Sequence, residues 1–418
     1  MNMHKAFKYR LKPTEKQVAD LKQIGGGCRW LWNTMLAANQ AKYADEKKFI
    51  FKHEMIVSLP QLKKDHPWLA DLPSQSLQQR CWDLDTAMKR CFKSGFGFPR
   101  FKRKEDENDT FRIPQTNGHI QLSKNAIKLP KLGWIKWKQH RPTEGRLMSI
   151  TVKQEGVHWY VVCLCELPDI EPITDTTEED ICGIDVGLKT FAVTSDGEMF
   201  DAFKLSLKRL KSAQRKLSRI DLLNKKNQIK KSNRRKKQKQ KLRKLHAHVK
   251  NQRYDFHHKT SRQIANAYSF VGMEDLNIKG MMKNHCLADA IAKQGWSQFR
   301  SMIEYKLASK GGKLLLVDRF YPSSKTCSNC GHKQDMPLDK RVYECGSCGM
   351  VMDRDANAAM NLKKWAVNEI NRAGTVRIYA RGDSSNGQLG MSDCSYESMN
   401  REKIQVNDLE AHASLGRG

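Results

Sequence analysis

The chain has 418 residues, 39 % hydrophobic and 29 % charged, and its 75 Lys and Arg against 45 Asp and Glu give a formal net charge of +30. A chain this long and this apolar can bury the cores of two to four domains, which excludes a wholly disordered protein. No apolar run approaches the roughly 20 residues that span a bilayer, and the start MNMHKAFKYRLKPTEKQ lacks the apolar stretch of a secretory signal, so a soluble cytoplasmic protein with no membrane partner is expected.

Residues 4–11 (HKAFKYRL) alternate as a strand. Pro13 and Thr14 then open a helix with Val18, Leu21 and Ile24 on one face, and further helices are expected over roughly 28–47 and 74–93. After GFGFPRFKRK (95–104), segments 111–113, 119–122, 126–129, 134–138, 147–153 and 158–166 read as short strands broken by Gly, Pro and Asn. A strand before the helices and several after them point to a β-barrel over 1–170 with a helical insertion at about 14–95. Residues 168–180 (PDIEPITDTTEED) carry acids and prolines without hydrophobic period, so a linker is expected over 171–180. The remainder reads as α/β: ICGIDVG, KTFAVTS, a long basic helical region, SFVGMED, a helix near 296–310, KLLLVD, a Cys-rich insert and a helix near 354–370. From 383 onward the chain is polar, rich in Gly and Ser, with a net charge of −3, and reads as a disordered tail.

Between Lys204 and Arg253 there are 21 Lys and Arg and one acid, Asp221. Leu210, Leu217, Leu242 and Leu245 recur at helical spacing, and KSN at 231–233 can turn the chain between two helices. Charge runs are usually solvated faces. Here nearly all the charges share one sign and repel, so a folded helix pair makes sense when phosphates neutralise it, and nucleic acid is favoured over anionic lipid. Such contacts give affinity and carry no base information.

Eight of the twelve cysteines are scattered (Cys28, Cys81, Cys91, Cys163, Cys165, Cys182, Cys286, Cys394) and mostly read as small buried hydrophobes. The other four form Cys327-Ser-Asn-Cys330 and Cys345-Gly-Ser-Cys348, with 14 residues between the pairs. Two such knuckles complete a tetrahedron around Zn²⁺, and Gly331 and Gly349 follow each second cysteine where a knuckle needs a permissive backbone. A redox dithiol would not need the pair twice. Four sulfur ligands leave no open position, so this zinc is structural.

Asp185 ends the apolar segment ICGIDVG, Glu274 ends SFVGME, and Asp355 lies where a helix begins in MDRDANAAMN. Taken singly, Asp185 reads equally as a turn residue, and the neighbours Asp275 and Asp353 as helix N-caps. Together, two acids at strand ends and a third on a helix can converge to hold two hard divalent ions, Mg²⁺ or Mn²⁺, about 4 Å apart for phosphodiester chemistry.

The ordered set GIDVGLK, the basic pair ending NQRYDFHHK, GMEDL, CSNCGH with CGSCG, and DRDANAAMNL resembles the TnpB family of bacterial insertion sequences, relatives of type V CRISPR nucleases. KAFKYRLKPTEKQ, CRWLWN, GFPRFKRK and LPKLGWIKWK extend the likeness over about 3–382. The resemblance implies an RNase H-like (RuvC) nuclease over 181–322 and 351–382, interrupted by a four-cysteine zinc finger at 323–350, and preceded by the β-barrel with an inserted helical recognition lobe. It implies RNA-guided cleavage of double-stranded DNA with a transposon-derived guide RNA beside a short flanking motif that the protein reads. Carried over, Asp185, Glu274 and Asp355 are the catalytic metal-binding acids, Asp353 is structural, and Cys327, Cys330, Cys345 and Cys348 hold zinc. The helix around 74–81 faces the flanking motif, with Ser74 and Gln78 as candidate readers, since a Gln can take an adenine edge, although a solvent-exposed Gln is the plainer reading. Arg100, Lys102, Arg103, Arg234, Arg235, Lys236 and Lys237 are candidate nucleic-acid contacts. A strand-joining transposase and a non-catalytic zinc-ribbon nucleic-acid-binding protein are the other readings. The sequence leaves the oligomeric state open.

Overall fold

The computed structural model describes residues 3–379 apart from 95–96, 105–108, 116–117, 204–206, 229–231 and 338. The expected tail beyond 383 lies outside the described residues.

The N-terminal part runs β1 (Met3–Lys12), α1 (Glu15–Glu46), α2 (Lys52–Val57), α3 (Leu59–Asp65), α4 (Ser74–Ser94), β2 (Thr110–Pro114), β3 (Gln121–Leu122), β4 (Ala126–Leu129), β5 (Gly133–Lys138), β6 (Arg146–Glu155) and β7 (His158–Leu167). The strands form one antiparallel sheet in the order β2-β6-β7-β1-β5-β4-β3, with β2 and β3 at its ends. Alternation along β1 sends Phe7, Tyr9 and Leu11 into the core, where they join a cluster shared with Leu21, Leu31, Leu36, Leu77 and Leu84 of the helices. Lys8 and Arg10 point the other way.

The strand-helices-strands order agrees with expectation, but the two helices expected over 14–47 are one. α1 starts at a capping box, Thr14 with Gln17, and continues through Gly25-Gly26-Gly27 without a break. Those glycines punctuate the sequence, yet here they permit close packing. A Cβ on Gly25 would lie 2.6 Å from Asp109 Cβ, and one on Gly27 would lie 2.2 Å from Leu72 Cδ1. Tertiary contact outweighs the helix propensity of glycine.

The second part runs β8 (Asp175–Thr177), β9 (Ile181–Val186), β10 (Thr190–Thr194), β11 (Met199–Asp201), α5 (Lys208–Lys226), α6 (Asn233–Ala267), β12 (Phe270–Glu274), α7 (Ile278–Met281), α8 (Ala288–Gln294), α9 (Trp296–Ala308), β13 (Lys313–Val317), β14 (Val342–Glu344), β15 (Val351–Asp353), α10 (Arg354–Ala373) and β16 (Arg377–Tyr379). Its five-stranded sheet has the order β11-β10-β9-β12-β13; β9, β12 and β13 are parallel, and β10 is antiparallel to both its neighbours. The expected linker is partly ordered, because β8 pairs in parallel with β16 some 200 residues later, Thr176 opposite Ile378.

The sheet is a middle layer. Cys182, Ile184, Val271 and Met273 pack with Ile264 of α6 and Phe299, Ile303 and Leu307 of α9. Ile181, Phe270 and Leu315 face Ala366 and Ile370 of α10. On that second face the helix comes down onto bare backbone: a Cβ at Gly183 would lie 1.9 Å from the Ala359 carbonyl oxygen and 2.3 Å from Lys363 N, and one at Gly272 would lie 2.7 Å from the Leu362 carbonyl oxygen. Gly183→Ala is therefore expected to lift α10 off the sheet, at a cost of about 3 kcal/mol, or about 6–12 °C in Tm. Thermal melting beside Gly97→Ala, whose Cβ would meet nothing within 4 Å, measures it.

Candidate active site and metal centre

The strand period of two carries the face of Gly183 on to Asp185 and the face of Gly272 on to Glu274. The register pairs Met273 with Ile184, so the two acids leave adjacent parallel strands side by side. Asp355 lies one helical turn before Ala359, whose carbonyl covers Gly183. The glycines let the helix close on the sheet, and that closeness brings the third acid over the first two.

The electrostatics reflect this meeting. Burial first, and then the negative charges of Glu274 and Asp355, hold the Asp185 carboxyl well above its ordinary range, against the pull of Arg354. Burial also raises Glu274, opposed by a hydrogen bond that Ser323 Oγ donates to Glu274 Oε1. Asp355 Oδ1 accepts from Arg354 at 3.3 Å, and Arg341 lies 3.5 Å from its Oδ2. A desolvated cluster of carboxylates repels itself until a cation enters, and its oxygen donors suit Mg²⁺ or Mn²⁺. Asp353 is the N-cap of α10, accepting from the Asp355 and Ala356 N–H groups at 2.9 and 3.1 Å, which leaves the second Asp of DRD for the site. Asp275 is not a cap: it pairs with Arg300 at 2.6 Å, while Asn277 caps α7.

The four cysteines form a second centre. Among the described residues, theirs is the one group of three or more His, Cys, Asp or Glu whose ligand atoms all lie within 4.8 Å of one another. Cys327 and Cys348 sulfurs are 3.6 Å apart, as are those of Cys330 and Cys345. A tetrahedron with Zn–S bonds of about 2.3 Å has edges of about 3.8 Å, so the donor set fits zinc. Gly331 and Gly349 have φ of 77° and 69°, the left-handed turns the knuckles need. The three carboxylates form no such tight group; they face one another at longer range.

All of the expected nucleic-acid residues except the half-buried Lys102 are exposed. Ser74 and Gln78 are exposed one turn apart on α4, Ser74 accepting from Lys63 at 2.8 Å. The segment 100–103 is strapped to α1: Trp32 donates to the Arg100 carbonyl at 3.0 Å, and the Asn33 side chain pairs with both the N–H and the carbonyl of Lys102. Arg100 and Arg103 are left exposed, while the Lys102 amine sits 3.9 Å over the Trp32 ring, pushed down to about 8 chiefly by burial. Arg234, Lys236 and Lys237 are exposed on α6, and Arg235 joins α6 to α5 through Asp221 at 2.6 Å.

Comparison with known proteins places the chain. It is 32 % identical over 383 residues to "Putative RNA-guided DNA endonuclease InsQ" of Escherichia coli (strain K12), covering 87 % of this chain and 92 % of that protein. The chain belongs to the TnpB/InsQ family. A second relative of the family, "Putative RNA-guided DNA endonuclease" of Streptomyces pristinaespiralis, is 33 % identical over 370 residues, covering 86 % of this chain and 88 % of that one. Family models match as "Helix-turn-helix domain" over 1–48, "Probable transposase" over 163–285 and "Cas12f1-like, TNB domain" over 296–362. The first of these spans β1 and the unbroken α1, with no turn between two helices. The fold is shared with a protein solved as "Cryo-EM structure of the Cas12f1-sgRNA-target DNA complex", with a TM-score of 0.50 and 16 % identity over 87 % of this chain and 99 % of that one. Among the described residues of this TnpB/InsQ member, no helix is long and apolar enough to cross a membrane.

Sequence reading missed the cations and polar groups around the acids: Arg341, Arg354, Ser323, and the buried Asn357 and Asn361. Asn357 and Asn361 carried a signal, two amides four residues apart on the face of an otherwise apolar helix that meets the sheet. It also missed a cleft of about 420 Å³ between α5 and α6 in which Arg215, Lys216, Arg219 and Arg234 surround the apolar Ile220 and Leu223.

Proposed function

We propose that this chain is an RNA-guided DNA endonuclease encoded by an insertion sequence, cutting double-stranded DNA beside a short motif that the protein reads. The observation that carries the reading is the convergence of Asp185, Glu274 and Asp355 at the point where α10 crosses β9 and β12, with the Asp185 carboxyl raised by burial and then by its two acidic neighbours. The names of the two relatives support it. In this reading the five-stranded sheet with its helices is the RNase H-like nuclease, the seven-stranded sheet is the barrel, and α1 to α4 are the recognition insertion.

Asp185, Glu274 and Asp355 would hold the divalent ions. When bound, the ions supply Lewis acidity, lowering the pKa of the attacking water and neutralising charge on the scissile phosphate. The protein's own part is to aim the ligands. Ser323 fixes one oxygen of Glu274 and leaves the other free. Arg354 and Arg341 pair with the two oxygens of the Asp355 carboxylate and restrain it. Zinc would be held by the cysteine quartet, remote from the chemical step. The exposed cations of α5, α6 and the 100–103 segment would take the phosphates of guide RNA and heteroduplex, which A-form geometry presents without regard to sequence.

The test is to express the protein with its adjoining DNA, purify it with the RNA it retains, and offer a plasmid library carrying the matching target beside randomised flanks in Mg²⁺. Linear plasmid with a restricted set of flanks is the expected product. Joined ends would move the assignment to strand transfer, and intact plasmid despite tight RNA retention would move it to binding alone.

A further inference from the structure

The segment that leads into the first knuckle touches both Glu274 and the helix that carries Asp355. Ser323 is 4 % exposed, and its hydroxyl donates to Glu274. Its carbonyl accepts from Asn361 Nδ2 at 2.8 Å. Three residues on, the Thr326 carbonyl accepts from both Asn357 at 2.8 Å and Asn361 at 2.7 Å. The Ser328 N–H donates to Asn357 Oδ1 at 2.8 Å, and the Ser328 carbonyl accepts from Lys364. One asparagine side chain thus brackets Cys327, holding the peptide group on either side of it. Asn357, Asn361 and Lys364 are spaced by one turn each along α10, and Asn357 is two residues from Asp355.

We infer that residues 323–328 are a strap through which the cysteine quartet positions the acid site, with Ser323, Asn357 and Asn361 as positioning residues. The inference rests on the reading of Asp185, Glu274 and Asp355 as a divalent-metal site. The physical case is one of dependence. Every hydrogen bond named involves a buried group, and a buried amide or hydroxyl that loses its partner costs about 1–3 kcal/mol, so the set is made together or lost together. The knuckle itself has a small core, with Cys327, Cys345, Met336 and Tyr343 as its buried members, and relies on the metal for its shape. Loss of zinc frees Cys327; that frees the Thr326 and Ser328 peptides from Asn357, and with them the anchor that sets Ser323 against Glu274. The zinc then governs metal affinity at a site it does not touch.

The experiment measures Mn²⁺ binding to the full chain by electron paramagnetic resonance, without nucleic acid, beside zinc content and thermal melting. Ser323→Ala is expected to weaken Mn²⁺ binding about tenfold with zinc content unchanged, as removal of a hydrogen bond that orients a metal ligand does. Ser323→Thr, which keeps the hydroxyl, is expected to restore it. Asn357→Ala provides the same reading from the other end of the strap should Ser323→Ala fail to fold. Cys330→Ser, which touches none of the acids, is expected to lose zinc and weaken Mn²⁺ binding as well. Full Mn²⁺ affinity in Ser323→Ala or in zinc-free Cys330→Ser overturns the strap, provided that Glu274→Ala loses Mn²⁺. If Glu274→Ala also binds Mn²⁺ normally, the acid site itself is misassigned.

Discussion

Asp185→Asn is expected to lower target cleavage by at least about 10³-fold while guide-RNA retention stays at the wild-type level. Asparagine keeps the shape of the side chain but removes the charge, and a ligand that serves catalytic ions supplies several kcal/mol of transition-state stabilisation, each 1.36 kcal/mol being tenfold in rate. RNA retention is expected to survive because the cations proposed to hold it, on α5 and the basic first half of α6, are not part of the acid cluster. The same substitution has the opposite sign for stability. The Asp185 carboxyl is raised in the folded chain by burial and then by neighbouring charge, and the Glu274 carboxyl by burial. The folded state therefore holds protons that the unfolded state has released. Stability without divalent ions falls as pH climbs from the ordinary carboxylate range through the folded values, and the whole penalty is present above them. Asp185→Asn should melt above wild type at pH 8 in buffer dialysed free of Mg²⁺, with the gap closing toward pH 4 and on adding Mg²⁺. A variant that cuts plasmid, or that melts lower than wild type under those conditions, would contradict the placement of this carboxyl.

Replacing Cys345 by serine should have the largest effect on folding. Structural zinc contributes about 10–16 kcal/mol to small metal-bound folds, and the knuckle core is too small to replace it. Expected results are loss of bound zinc by elemental analysis and rapid proteolytic nicking between residues 318 and 353, with the seven-stranded sheet intact. Cys286→Ser is the control, an exposed thiol outside the quartet. Retained zinc in Cys345→Ser would remove that residue from the ligand set.

Much of the architecture was legible because it is local. The alternation of Phe7, Tyr9 and Leu11 and the strand ends at Asp185 and Glu274 are written in single segments. So is the cysteine spacing. The misreadings came from contacts made far along the chain. Gly25 to Gly27 read as a helix end because glycine is a poor helix former; Leu72 and Asp109, which need that bare surface, are about 45 and 85 residues away. Residues 175–177 read as linker because their one strand partner is at 377–379. The acids could be named, and the spacing of Asn357 and Asn361 was there to be noticed, but what the two amides and Ser323 hold could not be read, since their partners lie on a neighbouring element.

The order in which the chain leaves the ribosome has a bearing on when its acid cluster assembles. β1 must wait for β7, so the N-terminal sheet completes once residue 167 has emerged, and the basic helices α5 and α6 follow. β9 then pairs with β12 only after some ninety more residues, and α10, which carries Asp355 and closes over both strands, is made after the cysteine insert. Domains tend to fold in the order of their synthesis. A nascent chain therefore presents its basic helices well before its acid cluster is assembled, and on the proposed function RNA would dock there while hydrolysis is still out of reach. On the same proposal, a translation product broken off before α10 would keep the basic helices and lack Asp355.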